Sequence, residues 1–281
     1  MAELTTVLTG VDFGEGPRWH DGRLWFSDFY RGGVYTLDGE GHEELQLKLD
    51  DRPSGLGWMP DGTMLVVSMV NRCVLAIGPD GETRTHADLS GFATGFCNDM
   101  VVAADGTAYV GNFGFDSESG GKFATAMLIR VSPEGEVSEA AADLMFPNGA
   151  VITPDGSTLI VGETYGSQYT AWDIAVDGTL SNRRLWATVE GSAPDGCCLD
   201  AEGGIWMADF IGGRVARVVE GGEITDEIVT GQHAVACMLG GADRRTLYIC
   251  RSPSSDPREL RGKGLSAILT AQVAVPGAGL P

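Results

Sequence analysis

Pro147-Asn148-Gly149-Ala150-Val151-Ile152-Thr153-Pro154-Asp155-Gly156-Ser157-Thr158-Leu159-Ile160-Val161 is the stretch whose reading decides the fold. Asn148 stands seven residues ahead of the Asp155-Gly156 turn, and a run of β-forming residues follows it. The same register recurs along the chain. Seven residues also separate Ser54 from Asp61-Gly62, Asn98 from Asp105-Gly106, Asp195 from Glu202-Gly203 and Ala236 from Asp243, while six separate Glu15 from Asp21-Gly22. After these turns come Leu24-Trp25-Phe26, Met64-Leu65-Val66-Val67, Ala108-Tyr109-Val110, Ile205-Trp206-Met207 and Thr246-Leu247-Tyr248-Ile249.

A second hairpin follows in most units, as in Val34-Tyr35-Thr36-Leu37 before Asp38-Gly39 and Val74-Leu75-Ala76-Ile77 before Asp80-Gly81. The repeat length of ~40 to 50 residues is that of propeller blades, each with room for four strands. Six units predict an all-β, six-bladed β-propeller forming a single domain over residues 1–281. Leu4 to Leu8 reads as a lone strand that pairs into the final unit, which ends with Ser266 to Val275, and this closure removes the open edges. Trp172-Asp173 occurs once without a recurring Gly-His partner, which sets aside the common Trp-Asp propeller repeat.

Composition agrees with many short strands. The 281 residues are 43% hydrophobic and 21% charged and include 41 glycines. A formal charge of −20, from 39 acidic against 19 basic residues, repels phosphate backbones and anionic headgroups, so neither a nucleic-acid nor a membrane partner is expected. No apolar run approaches the ~20 residues of a spanning helix, and Met1 to Gly10 lacks the pattern of a signal peptide. The six cysteines are scattered and read as reduced thiols. The expectation is a cytoplasmic protein, monomeric or a small homo-oligomer, with a small-molecule substrate.

In a blade the innermost strand lines the central channel, and its hairpin partner returns toward the end where the first strand began. Glu15, Ser54, Asn98, Asn148, Asp195 and Ala236 then ring one mouth, with Asp28, Ser68, Asn112, Glu163, Asp209 and Cys250 behind them. Asn and Asp before Gly are ordinarily turn formers. Recurrence at one phase of the repeat, with the residue type varying, points instead to a site. Glu15, Asn98, Asn148 and Asp195 offer only hard oxygen donors, which suit one divalent cation: calcium first, with magnesium, manganese or zinc as alternatives.

Gly14-Glu15-Gly16-Pro17-Arg18-Trp19, Asn98-Asp99, Pro147-Asn148-Gly149-Ala150, Pro194-Asp195-Gly196 followed by Trp206, and Gly240-Gly241-Ala242-Asp243 together make the chain resemble the senescence marker protein/gluconolactonase family of six-bladed propellers, from about Phe13 to Tyr248. The resemblance implies that Glu15, Asn148 and Asp195 hold a divalent metal, and that Asn98 reaches the metal or the substrate. It also implies that Asp195 is the general base and that Asp116 contacts substrate. Sugar lactonases of that family carry an arginine two residues before the Asn98 equivalent, where this chain has Phe96. Phe113, Phe115, Phe146 and Tyr165 lie beside the same motifs, so a substrate with an apolar or aromatic body is expected, and Arg18 and Asn112 are the donors left to reach it.

These readings converge on a metal-dependent hydrolase, a lactonase or esterase acting on carboxylic ester bonds. The enzymatic alternatives are a phosphotriesterase or aryl esterase and a lyase or isomerase on the same scaffold. The non-enzymatic one is a propeller that serves only as an interaction platform. No Gly-x-Ser-x-Gly context supports a serine triad.

Overall fold

The computed structural model describes residues 3–116 and 118–279. Six four-stranded antiparallel sheets form the blades of a six-bladed β-propeller. In the first blade, spatial order follows chain order: Gly14–His20 innermost, then Arg23–Asp28, Gly33–Leu37 and Glu43–Lys48. The later inner strands are Pro53–Trp58, Cys97–Val102, Pro147–Ile152, Pro194–Leu199 and His233–Gly240, each packed on the next, with the last packed on the first. Closure is as the sequence predicts. Thr5–Val11 pairs antiparallel with Ser266–Gln272 and forms the outer edge of the sixth blade. The latter strand stops short of the expected Val275, because the chain turns away before Pro276 and Gly277 bridges to Asp200 of the fifth blade.

The acidic-glycine turns close the hairpins at the end away from the mouth. Gly106 has φ 94°, a conformation that strains residues with a Cβ, and Asp105 Oδ1 accepts the Thr107 N–H at 2.9 Å. The runs after these turns are buried along their length, as in Met64–Ser68 and Ile205–Asp209. Tyr109 and Trp206 are enclosed between blades, and the Tyr109 hydroxyl donates to Gly178 O at 2.7 Å.

The second ring of polar residues is structural. Asp28 accepts from the backbone N–H of Asp12, Phe13, Tyr30 and Arg31, which ties the entry to the inner strand to the exit from its hairpin partner. Asp209 repeats the device on Ala193 and Gly212, and Glu163 accepts from Met145 N–H and from the Thr170 hydroxyl. Their oxygens are spent on buried N–H groups that would otherwise lack partners. All six cysteines are free thiols.

Candidate metal centre

Every inner strand is irregular at the same phase. The pairing register breaks between Glu15 and Arg18, Pro53 and Leu56, Cys97 and Met100, Pro147 and Ala150, Pro194 and Cys197, and Ala234 and Ala236. Such bulges bend a strand and re-aim a side chain, and the residues at this phase point toward one mouth. Pro147-Asn148-Gly149 and Pro194-Asp195-Gly196 are therefore strand starts and not turns. Their glycines serve blade contact. A Cβ on Gly149 would lie 2.5 Å from Asp195 O, and one on Gly55 would lie 2.3 Å from Met100 N.

The orientation of the Asn148 carboxamide is fixed by its neighbours. The Thr164 hydroxyl donates to Pro194 O at 2.6 Å, so its oxygen can only accept from Asn148 Nδ2, 3.2 Å away. The same amide nitrogen donates to Asp195 Oδ1 at 2.6 Å. Both N–H bonds are used, and Asn148 Oδ1 is left buried with no partner. Asn98, also buried, accepts from the Ser54 hydroxyl at 3.4 Å, and Glu15 Oε2 accepts from Gly16 N–H at 3.0 Å.

Burial drives the Glu15 carboxyl well above the usual carboxylate range, and the charges of Asp195 and Asp99 push it further. Asp195 is raised for the same first reason, with Asp99 adding and the Asn148 hydrogen bond opposing. Asp99 itself is held by Arg18, which reaches from the first to the third blade to pair with it at 2.8 Å, both groups being 3% exposed. Arg18 also donates to Pro17 O and Met100 O and is thus committed to the channel wall.

Two buried carboxylates and an orphaned carboxamide oxygen at one mouth fit a hard divalent cation, whose charge would offset the pair and whose oxygen preference matches the donors. Among the described residues no three His, Cys, Asp or Glu side chains converge, so the set relies on carboxamides for its third and fourth members. Thr164, absent from the sequence reading, positions the third. Thr164→Val should release the Asn148 amide and weaken cation binding by ~10- to 100-fold, the usual loss for an outer-shell contact, with Thr164→Ser restoring it. Calorimetric titration checks this.

Above the donors lies a cavity of about 330 Å³ whose lining includes Glu15, Asn98, Asn148 and Asp195. Phe113, Phe146 and Tyr165 also line it, with ring centroids 4.4 Å apart for Phe113 and Phe146 and 5.0 Å for Phe146 and Tyr165. Phe146 holds φ 64°, a conformation in which a bulky residue is strained and which recurs at functional sites.

Phe96, Asn112 and Asp116 are not among the lining residues. Phe96 backs Phe113 edge-on at 6.0 Å, and Asn112 is buried, donating to Met127 O and accepting from Gly114 N–H. Asp116 lies exposed on the rim, where the Ser119 backbone N–H holds its carboxyl below the usual range. Phe115, also outside the lining, lies edge-on to Phe123 at 5.7 Å and tilted against Tyr165 at 6.2 Å.

Lining residues beyond the sequence reading include Phe13, Arg52, Phe29, Met69 and Phe210. The signal was present in the repeat. Phe13, Arg52 and Phe146 each stand two residues before a ring position, as Phe96 does, and Phe29, Met69, Phe113, Thr164 and Phe210 each follow directly on a second-ring residue.

A sequence model of the SMP-30/Gluconolactonase/LRE-like region matches residues 13–252. The 6-deoxy-6-sulfogluconolactonase of Pseudomonas putida is 29% identical over 277 residues, covering 95% of this chain and 94% of its own length. The pentonolactonase XacC of Haloferax volcanii is 26% identical over 292 residues, covering 99% and 96%. Among solved structures, a calcium-binding protein, regucalcin, from Agrobacterium tumefaciens superposes with TM-score 0.81 over 98% of this chain and 95% of its own at 20% identity, a likeness of fold.

Proposed function

Since the chain belongs to the SMP-30/gluconolactonase/LRE-like family, we propose that it hydrolyses a lactone at the channel mouth with the help of one divalent cation, calcium ahead of magnesium, manganese or zinc. The observation that carries this reading is the buried, partnerless Asn148 oxygen in the same cavity lining as the buried carboxylates Glu15 and Asp195, a cavity sized for a small substrate. Glu15, Asn148 and Asp195 would hold the ion, with Asn98 as fourth ligand or as donor to the substrate carbonyl. When bound, the cation supplies the positive charge that polarises an ester carbonyl and lowers the pKa of water.

The chain supplies the rest. Asp195, a buried carboxylate at the mouth, takes the proton of the attacking water and can return it to the leaving alkoxide oxygen. Asn98 Nδ2 is free to steady the carbonyl while its oxygen accepts from Ser54. Phe113, Phe146 and Tyr165 keep bulk water from the acyl group and offer an apolar wall. A substrate with an apolar or aromatic body gains ~25 cal/mol for each Å² it buries there, whereas a hydroxyl buried without a partner costs about 1 to 3 kcal/mol.

The test is acid release by dialysed and by calcium-loaded protein on a panel of alkyl, aryl and sugar lactones, aryl esters and phosphotriesters. Cation-dependent hydrolysis of lactones, fastest on apolar rings, is the expected result. Turnover confined to aryl esters or phosphotriesters would reassign the reaction. Cation binding with no turnover would favour the interaction platform.

A further inference from the structure

The chain carries a charge of −20, yet cationic side chains gather beside the mouth. A second groove of about 360 Å³ shares Phe29, Tyr30 and Arg52 with the main cavity and is lined further by Arg31, Lys48 and Arg261 and by Asp50 and Asp51, the Asp51 carboxylate accepting from the Ser68 hydroxyl and the Val70 and Asn71 N–H groups. Arg31 is committed to Asp28 and Glu43, and Lys48 donates to Arg31 O. Arg52 and Arg261 differ. Their guanidinium carbons lie 5.6 and 5.8 Å from the centroid of the Tyr30 ring, whose hydroxyl is fixed by donation to Ser255 O at 2.9 Å. Burial pushes that phenol up to about 12, so the ring stays neutral.

Arg52 also lies 5.4 Å from the Phe96 ring, so two aromatic residues hold it at the cavity edge. Its partner is Glu118, bound through two contacts of 2.5 and 3.1 Å, with the Arg52 side chain 15% and the Glu118 side chain 35% exposed, so an anion that takes these two N–H groups must displace Glu118. Arg261 is exposed and has no ion-pair partner among the described residues. A planar guanidinium donates two parallel N–H bonds to a carboxylate, sulfonate or phosphate, and a second cation nearby strengthens that preference.

We propose that Arg52 and Arg261, both beside the Tyr30 ring, form an anion subsite that selects lactones bearing an anionic substituent on the side remote from the scissile carbonyl. The inference rests on the lactonase reading for its substrate, but not for the binding itself. Arg52 occupies, in the second blade, the repeat position that Phe96 occupies in the third. The substituent displaces Glu118 from Arg52, while the apolar body of the substrate lies along Phe113 and Phe146.

Calcium-loaded protein would be assayed on two γ-lactones that differ only in a side-chain carboxylate or carboxamide, and binding of 3-oxocyclopentanecarboxylate, which has no ester to cleave, would be measured by calorimetry. KM for the carboxylate should be about tenfold lower than for the carboxamide, with an advantage that shrinks as salt rises past the ~10 Å screening length of 0.1 M. Arg52→Gln and Arg261→Gln should each remove most of that advantage by raising KM for the carboxylate several-fold more than KM for the carboxamide, and Arg52→Lys should keep part of it. Equal losses on both lactones, or a wild-type preference for the carboxamide, would overturn the anion subsite. If neither lactone is hydrolysed but the cyclopentanone carboxylate binds in an Arg52-dependent manner, the lactonase reading fails and the subsite stands. Absence of that binding in the wild type overturns the subsite whatever the turnover.

Discussion

Asp195→Asn is expected to lower kcat by ~10² to 10⁴ at saturating cation, the usual contribution of a positioned general base, while the blades stay assembled. The amide is nearly isosteric and can still offer an oxygen to a cation, but it accepts no proton. Its like-charge effect on Glu15 is also removed, so thermal stability without cation should hold or rise. Circular dichroism, melting and a pH–rate profile separate these outcomes. Near-native turnover would remove Asp195 as base. Glu163 could not replace it, because its oxygens are held by Met145, Gln168 and Thr170 inside the fourth blade.

Glu15→Gln should act in opposite directions on cation affinity and on stability of the cation-free protein. Affinity should fall by at least the ~10- to 100-fold typical of an outer-shell change, since here a charged ligand is itself lost. Stability follows from the sign of the pKa shift. A carboxyl raised in the folded state contributes its stability in full below the unfolded value of ~4.3, and that contribution is lost as pH rises through the folded value. Cation-free wild-type protein should therefore lose stability from mildly acidic toward neutral pH, and a bound cation should restore it.

The glutamine removes the buried charge. The cation-free melting temperature of Glu15→Gln at neutral pH should exceed that of the wild type by about 2 to 4 °C, which is what ~1 kcal/mol produces in a large domain. Differential scanning calorimetry with and without chelator, at mildly acidic and neutral pH, reads both effects. A wild-type melting temperature that rises with pH in chelator would contradict the raised carboxyls.

Much of the fold can be read in the sequence because a propeller is written as a repeat. The interval from Asn148 to Asp155-Gly156, returning in other units, gives the blade number, the inner strands and the phase of Glu15, Asn98, Asn148 and Asp195. Leu4 to Leu8, with no partner nearby in sequence, likewise announces ring closure, realised as the pairing of Thr5–Val11 with Ser266–Gln272. Each of these features is local: a turn residue, a β-forming run and a fixed spacing set by how many residues span one strand.

What only the tertiary structure decides depends on which atoms are already bonded across blades. Asn112 and Asp116 are as polar as Asn98, yet the first is saturated inside its own blade and the second stays on the rim. Asn148 and Asn112 are likewise indistinguishable as residue types. One keeps an oxygen free because Thr164 and Asp195, from its own and the next blade, occupy both of its N–H bonds. Phe96 occupies the repeat position of a lining residue but lies beneath Arg52, whose guanidinium comes to the mouth from the preceding blade. The sequence by itself determined the ring and the phase of its oxygen donors, since both follow from periodicity along one chain. The satisfaction of each donor and the wall around them were decided by the tertiary structure, since hydrogen bonds and ring stacking between strands far apart in sequence leave no periodic trace.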